Sequence, residues 1–151
     1  MIVGVLADTH GVLRPEAVEA LRGTDLIIHA GDVGGPDVLA RLRELAPTHA
    51  VRGNNDKGSW AEALPLVEVV EAAGRFLYVV HEVAHLDLDP AAAGFAAVIS
   101  GHSHRPSAET RSGVLFLNPG SAGPRRFKLP IALARLRLHA GSLEHEFVEL
   151  G

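Results

Sequence analysis

Residues 2–52 read IVGVLADTHGVLRPEAVEALRGTDLIIHAGDVGGPDVLARLRELAPTHAVR, and the alternation of signals along them sets the architecture. The apolar run Ile2 to Ala7 predicts a buried strand. Pro15 stands where a first helical turn tolerates proline, and it opens a short helix with Ala17, Val18, Ala20 and Leu21 inward. A second short apolar strand follows over Asp25 to Ala30. Pro36 begins a second helix, whose Val38, Leu42 and Leu45 recur at helical spacing, and His49 to Arg52 supplies a third strand. The order βαβαβ predicts a parallel sheet with right-handed crossovers.

Beyond this stretch the pattern turns to strands. Leu66 to Ala72, Gly74 and Arg75 to His81 read as a hairpin, and Ala96 to Ser100 as another buried strand. Ile131 to Leu138 and Leu143 to Leu150 flank His139 to Ser142, a four-residue hairpin loop. That register sets Arg137 opposite Glu144 and Arg135 opposite Glu146, with Leu136, Leu138, Leu143 and Phe147 on the other face. A mixed α/β start followed by a β-rich end predicts two sheets packed face to face with helices outside.

The chain has 151 residues, enough for one domain and too few for two independent cores. With 47% hydrophobic and 21% charged residues it can bury a core, which argues against disorder. The longest nearly unbroken apolar run, Ala91 to Ile99, is far short of the ~20 residues of a membrane helix, so no membrane association is expected. A net charge of −4 without blocks of like charge argues against a general nucleic-acid-coating surface. The absence of cysteine excludes disulfides, thiolate metal sites and thiol nucleophiles. A strand-like start without a charged leader points to the cytoplasm. Nine histidines stand against one Met, one Trp and one Tyr.

Five short motifs follow apolar runs: Asp8 and His10 in DTH, Asp32 in GD, Asn54 in GNND, His81 closing FLYVVH, and His102 with His104 in GHSH. In an open α/β sheet ligands bind at the carboxyl ends of strands, so these side chains can converge although they span almost a hundred residues. Seven oxygen and nitrogen donors are the number two metal ions need. Carboxylate, imidazole and amide without thiolate suit Mn, Fe, Zn, Ni or Mg. Asp32 has two oxygens and could bridge both ions. Two such cations ~3.5–4 Å apart stabilise charge on phosphate oxygens and lower the pKa of a shared water, a combination that hydrolyses phosphate esters.

In this order the motifs resemble the calcineurin-like metallophosphoesterases, and the short chain with Asn118 to Ser121 (NPGS) is similar to their small bacterial and archaeal phosphodiesterase branch. The resemblance covers essentially the whole chain, 1–151, as a single domain, and implies a four-layer α/β/β/α sandwich of two mixed sheets with helices outside. It implies one metal on Asp8, His10, Asp32 and His104, and a second on Asp32, Asn54, His81 and His102. Two divalent ions are expected, with Mn2+ preferred and Mg2+, Fe2+, Ni2+ and Zn2+ as alternatives. The implied activity is hydrolysis of a small phosphate-ester substrate, a phosphodiester by preference, by a metal-activated water. The alternative is a catalytically weak or inactive metal-binding scaffold for protein interaction on the same fold, and a homo-oligomer is compatible with either.

Two positions depart from the family pattern. Many members carry His after the metal-binding Asn, where it can protonate the leaving oxygen; here Asn55 stands, and an amide has no titratable proton near pH 7. After His81 the relatives usually have Gly and His, whereas this chain has Glu82 and Val83, with His85 two residues beyond. Asn55, Asp56 and His102 are the catalytic candidates, Asp56 as the residue that orients the GNND loop. Taken singly, Asp8 reads as a helix cap and Asn54 as a turn residue; the ordered set reverses that preference. His29, His49, His139 and His145 fit no motif and read as structural or surface residues. Arg125, Arg126 and Lys128 form the only basic cluster, a solvated loop in preference to a phosphate clamp.

Overall fold

The computed structural model describes all residues from Met1 to Gly151. Strands β1 (Ile2–Leu6), β2 (Leu26–His29) and β3 (Thr48–Ala50) are parallel neighbours joined through helices α1 (Pro15–Leu21) and α2 (Pro36–Leu45). Both helices begin on proline, whose missing N–H would have had no helical partner there. A short α3 (Ser59–Glu62) precedes the hairpin β4 (Val67–Ala72) and β5 (Arg75–Val80). Then come β6 (Ala97–Ile99), the hairpin β7 (Ser107–Arg111) and β8 (Val114–Asn118), and the closing hairpin β9 (Ala132–His139) and β10 (Ser142–Glu149). The first sheet has the order β10-β9-β1-β2-β3 and the second β4-β5-β6-β8-β7. Each mixes parallel and antiparallel pairs, as expected.

The near-continuous apolar runs arise because the central strands are covered on both faces. Val5 and Ile28 point between the sheets, where they meet Val79, Ile99, Leu117 and Leu136. Their neighbours Leu6 and Ile27 point the other way, against Leu21 of α1 and Leu42 of α2. The outer face of the second sheet is covered more thinly: Tyr78, Val80 and Val98 lie under Leu86, Ala91 and Phe95 of the segment after β5, whose only helical feature is a 3-10 turn over Val83–His85. Helices therefore cover one outer face of the sandwich, and a loop covers the other. No helix is long and apolar enough to cross a membrane.

The closing hairpin keeps the expected register, Arg137 opposite Glu144 and Arg135 opposite Glu146. Its pairing runs on to His139 and Ser142, so the loop is the two residues Ala140 and Gly141 and not four. Phe147 shares the face of Leu136 and Leu138 but remains 38% exposed, because β10 is an edge strand with no further neighbour.

Candidate metal centre

Loops leaving the carboxyl ends of β1, β2, β3, β5 and β6 meet at one edge of the two sheets, laced by backbone hydrogen bonds. The Asp8 N–H donates to the Gly31 carbonyl, His10 N–H to Asp32, and Gly101 N–H to His81. All seven predicted side chains come together there. His81 Nε2 lies 3.4 Å from Asp32 Oδ2 and 3.0 Å from Asn54 Oδ1, and His102 Nδ1 lies 3.3 Å from the same Asn54 oxygen. His104 Nε2 is 3.6 Å from Asp8 Oδ1 and 3.4 Å from His10 Nε2, which is itself 3.8 Å from Asp32 Oδ2. Donor atoms of Asp8, His10 and His104 form one compact group, and those of Asp8, Asp32 and His81 a second.

The backbone is bent to achieve this. Of eight non-glycine residues with positive φ, five are Asp8, His10, Asp32, His102 and His104. A left-handed conformation costs about 1–2 kcal/mol at a residue with a Cβ, so five in one cluster mark strain held by the surrounding fold for a purpose. Glycines make room for it: a Cβ on Gly31 would stand 2.5 Å from His81 Nδ1, and one on Gly53 would overlap Asp32.

Positive charge is what the cluster lacks. Asp8 Oδ1 is buried without a hydrogen-bond partner, although the imidazoles of His10, His81 and His104 surround it at 3.6–4.0 Å. Burial pushes the Asp8 carboxyl up to about 7, partly offset by the His81 charge. Burial also pushes Asp32 up, but hydrogen bonds from His81 and from the backbone and side chain of Asn55 win and hold it well below the usual carboxylate range. Burial opposes the charge on His81, yet the Asp32 hydrogen bond, the Ala30 carbonyl and Asp8 raise its pKa above the ordinary imidazole value. His104 is lowered to about 4, by burial first and then by the nearby Arg126 charge. His81 Nδ1 donates to the Ala30 carbonyl at 2.7 Å, which aims Nε2 at the cluster, the arrangement of a metal-ligating imidazole. Two donors bound to one ion at about 2.1 Å each stand roughly 3–3.5 Å apart, close to the separations found. An unpartnered buried carboxylate oxygen ringed by imidazoles, with no thiolate, fits a hard or borderline divalent cation.

Supporting residues complete the picture. Asp56 accepts the backbone N–H groups of Val33, Gly34 and Gly53 at 2.9–3.2 Å, tying the GD loop to the GNND loop and acting as a positioning residue. Asn55 donates to Asp32 twice, from its backbone N–H at 2.9 Å and from Nδ2 at 3.0 Å, so its amide is turned toward the carboxylate. Asn118 donates to the Gly101 carbonyl and to Ser103 Oγ, and Ser121 Oγ donates to the Asp8 carbonyl. The NPGS stretch thereby braces the first and last metal-site loops, a role its turn-like composition conceals. Fully buried His29 accepts the Gly31 N–H on Nδ1 and faces Thr9 Oγ1 with Nε2, and burial lowers its pKa to about 3. Glu82 lies between two histidines, Oε1 3.7 Å from His102 Nδ1 and Oε2 3.6 Å from the exposed His85. Arg125 turns back to the Leu129 carbonyl, while the charge of Arg126 reaches Asp8 and His104.

Two mixed sheets with a polar, strained cluster of carboxylates and imidazoles at the strand ends define a metal-binding α/β sandwich. The model of the calcineurin-like phosphoesterase superfamily domain matches residues 1–141, and the chain belongs to that family. It is similar to a probable metallophosphoesterase of Methanothermobacter thermautotrophicus, 33% identical over 100% of this chain and 94% of the relative. Among solved structures, an archaeal phosphodiesterase superposes with a TM-score of 0.80 at 23% identity, covering 98% of this chain and 100% of that one. Vps29 of Chaetomium thermophilum does so with a TM-score of 0.79 at 16% identity, covering 99% and 97%. At such identities these two superpositions speak for the fold.

Proposed function

We propose that this protein is a two-metal phosphodiesterase, with Asp8, His10, Asp32 and His104 holding one divalent ion and Asp32, Asn54, His81 and His102 the other. The observation that carries this reading is the buried, unpartnered Asp8 Oδ1 within 3.6–4.0 Å of three imidazoles, in a chain of the calcineurin-like phosphoesterase family. Bound divalent ions, Mn2+ by preference, would supply Lewis acidity toward the phosphate and a lowered pKa for water. The chain's own contribution is placement. Asp8 belongs to both donor groups, while Asp32 Oδ2 lies 3.8 Å from His10 and 3.4 Å from His81, one imidazole of each group, and Asn55 fixes its orientation through two hydrogen bonds. His102, about half exposed, and exposed Asn54 stand at the mouth, where a phosphoryl oxygen enters. Arg126 adds positive charge at the rim.

Preference for diesters rests on Glu82. Its carboxylate beside His102 repels the second negative charge that a phosphate monoester carries near neutral pH and a diester does not. Asn55, held by Asp32, cannot protonate a departing oxygen, and good leaving groups need such help least. The second reading, a protein-binding scaffold, draws on the shared fold with Vps29. Metal analysis of the purified protein, paired with hydrolysis of bis(4-nitrophenyl) phosphate with and without Mn2+, separates them: bound metal with turnover is expected, and bound metal without turnover selects the scaffold.

A further inference from the structure

Two cavities open from the cluster, and Glu82 lines both. One, of about 280 Å3, runs past Asn54 and His81 to Arg52, Leu66 and His85. The other, of about 230 Å3, starts at His102 and Ser103 and ends on Phe116, between Val83 and the Glu109–Arg111 pair. A phosphodiester has two ester arms, and a phosphate held at His102 and Asn54 would send one into each cavity.

We infer that the Phe116 cavity is a subsite for an uncharged aromatic ring on the ester arm that stays attached to phosphorus. The inference rests on the phosphodiesterase reading above. Three observations carry it. The cavity is continuous with the metal centre, since His102 lines it and also faces Asn54 at 3.3 Å. Its end is aromatic: the Phe116 ring is half-buried on the outer face of the second sheet, with the Arg111 guanidinium 4.7 Å from its centroid. With the guanidinium over one face of Phe116, a flat ring gains from edge contacts to Phe116 and from stacking on the guanidinium, contacts worth ~0.5–1.5 kcal/mol beyond area burial. The charges exclude an anion, because Arg111 is committed to Glu109 at 2.9 Å and Glu82 adds a further carboxylate. Ser103 and Ser107 offer hydroxyls to polar atoms on the ring or on a sugar next to it. The volume is below the ~300–1,000 Å3 that whole drug-sized ligands occupy, so the cavity holds one ring system and not an entire substrate. The opposite cavity carries the imidazole of His85, toward which a departing oxygen is better directed.

The test uses esters with one leaving group and different retained arms: the 4-nitrophenyl esters of thymidine 5′-phosphate and of methyl phosphate, assayed on the Mn2+-loaded protein. The thymidine ester is expected to have about tenfold higher kcat/KM than the methyl ester, expressed in KM. That ratio is expected to collapse to about one in Phe116→Ala, and also in Ser107→Trp, which fills the cavity from an exposed position and decides the matter if the first variant does not fold. Saturation-transfer NMR on the methyl diester of thymidine 5′-phosphate, which carries the single charge of a diester, supplies a readout independent of turnover: transfer to the thymine protons in wild type, lost in either folded variant. A ratio near one in wild type, an unchanged ratio in a folded variant, or no transfer to thymine overturns the subsite. Thymine transfer that depends on Phe116 without hydrolysis of either ester supports the subsite and overturns the phosphodiesterase reading instead.

Discussion

The two halves of the metal centre are built differently. Asp8, Asp32, His81 and His104 are buried, and Ser121, Asp56 and Asn118 brace the loops of the whole centre from behind. Asn54 and His102 are exposed, and their side-chain contacts are with other members of the site and with Glu82. A donor held in place before the ion arrives loses little freedom on binding, whereas an exposed one must be ordered by it. In the two-metal reading proposed above, the inner half supplies affinity and the outer half exchange with substrate and solvent. That contrast can be attacked at several points.

The largest effect is expected from Asp32→Asn, which acts on both halves at once. Losing a supporting partner of a metal ligand typically costs 10–100-fold in affinity or activity, and loss of a shared carboxylate is expected to exceed ~100-fold in kcat/KM. Calorimetric titration with Mn2+ should show both sites weakened; two undiminished sites would remove Asp32 from its position between them. Next in size, His104→Asn and His102→Asn should separate the halves. The first is expected to lower Mn2+ affinity by about 10–100-fold, the second to spare the tighter site and reduce turnover. Equal losses of affinity would erase the distinction.

His29 tests the bracing behind the inner half. Its folded pKa of about 3 lies below the ordinary 6.5, so the unfolded chain binds the extra proton between these values. Its contribution to stability is complete above about 6.5 and is lost as pH falls toward about 3, at roughly 1.4 kcal/mol per pH unit. In metal-free protein Asp8, raised to about 7, acts in the opposite direction, so the useful quantity is the difference between wild type and His29→Asn in denaturant melts across that range. Wild type should lose stability relative to the variant as pH falls; parallel curves would show that His29 carries its proton in the fold. Smaller still, Glu82→Gln should raise the ratio of monoester to diester kcat/KM about fivefold, the worth of ~1 kcal/mol between charges some 4 Å apart in water. A constant ratio would take Glu82 out of substrate choice. Arg126→Ala, at an exposed rim, should raise KM about threefold with kcat nearly constant, as expected for uniform binding.

The strands and the convergence of the candidate ligands could be read from the chain for one shared reason: each motif sits where an apolar run stops, and in a parallel sheet all such stops share an edge. The register of the closing hairpin was likewise readable from the pairing of Arg135 and Arg137 with Glu146 and Glu144. What escaped has no periodic signature. Strand β7 is SAETR, mostly exposed on an edge, with no alternation to betray it. Four-residue α3 is too short for a helical repeat. The parts played by Asn118, Ser121 and the side chain of Asn55 are hydrogen bonds to residues 15–113 positions away, which composition cannot disclose. Glu82 was visible as a departure from the family pattern, but its place between His85 and His102 was not.

The left-handed backbone at Asp8, His10, Asp32, His102 and His104 carries an evolutionary consequence. Glycine or asparagine would sit at these five positions with less strain, so a lineage released from the chemistry would gain stability by drifting toward them. In any descendant of this chain, the residue types at these five places record whether the site is still under selection, and they do so even where the fold itself is unchanged.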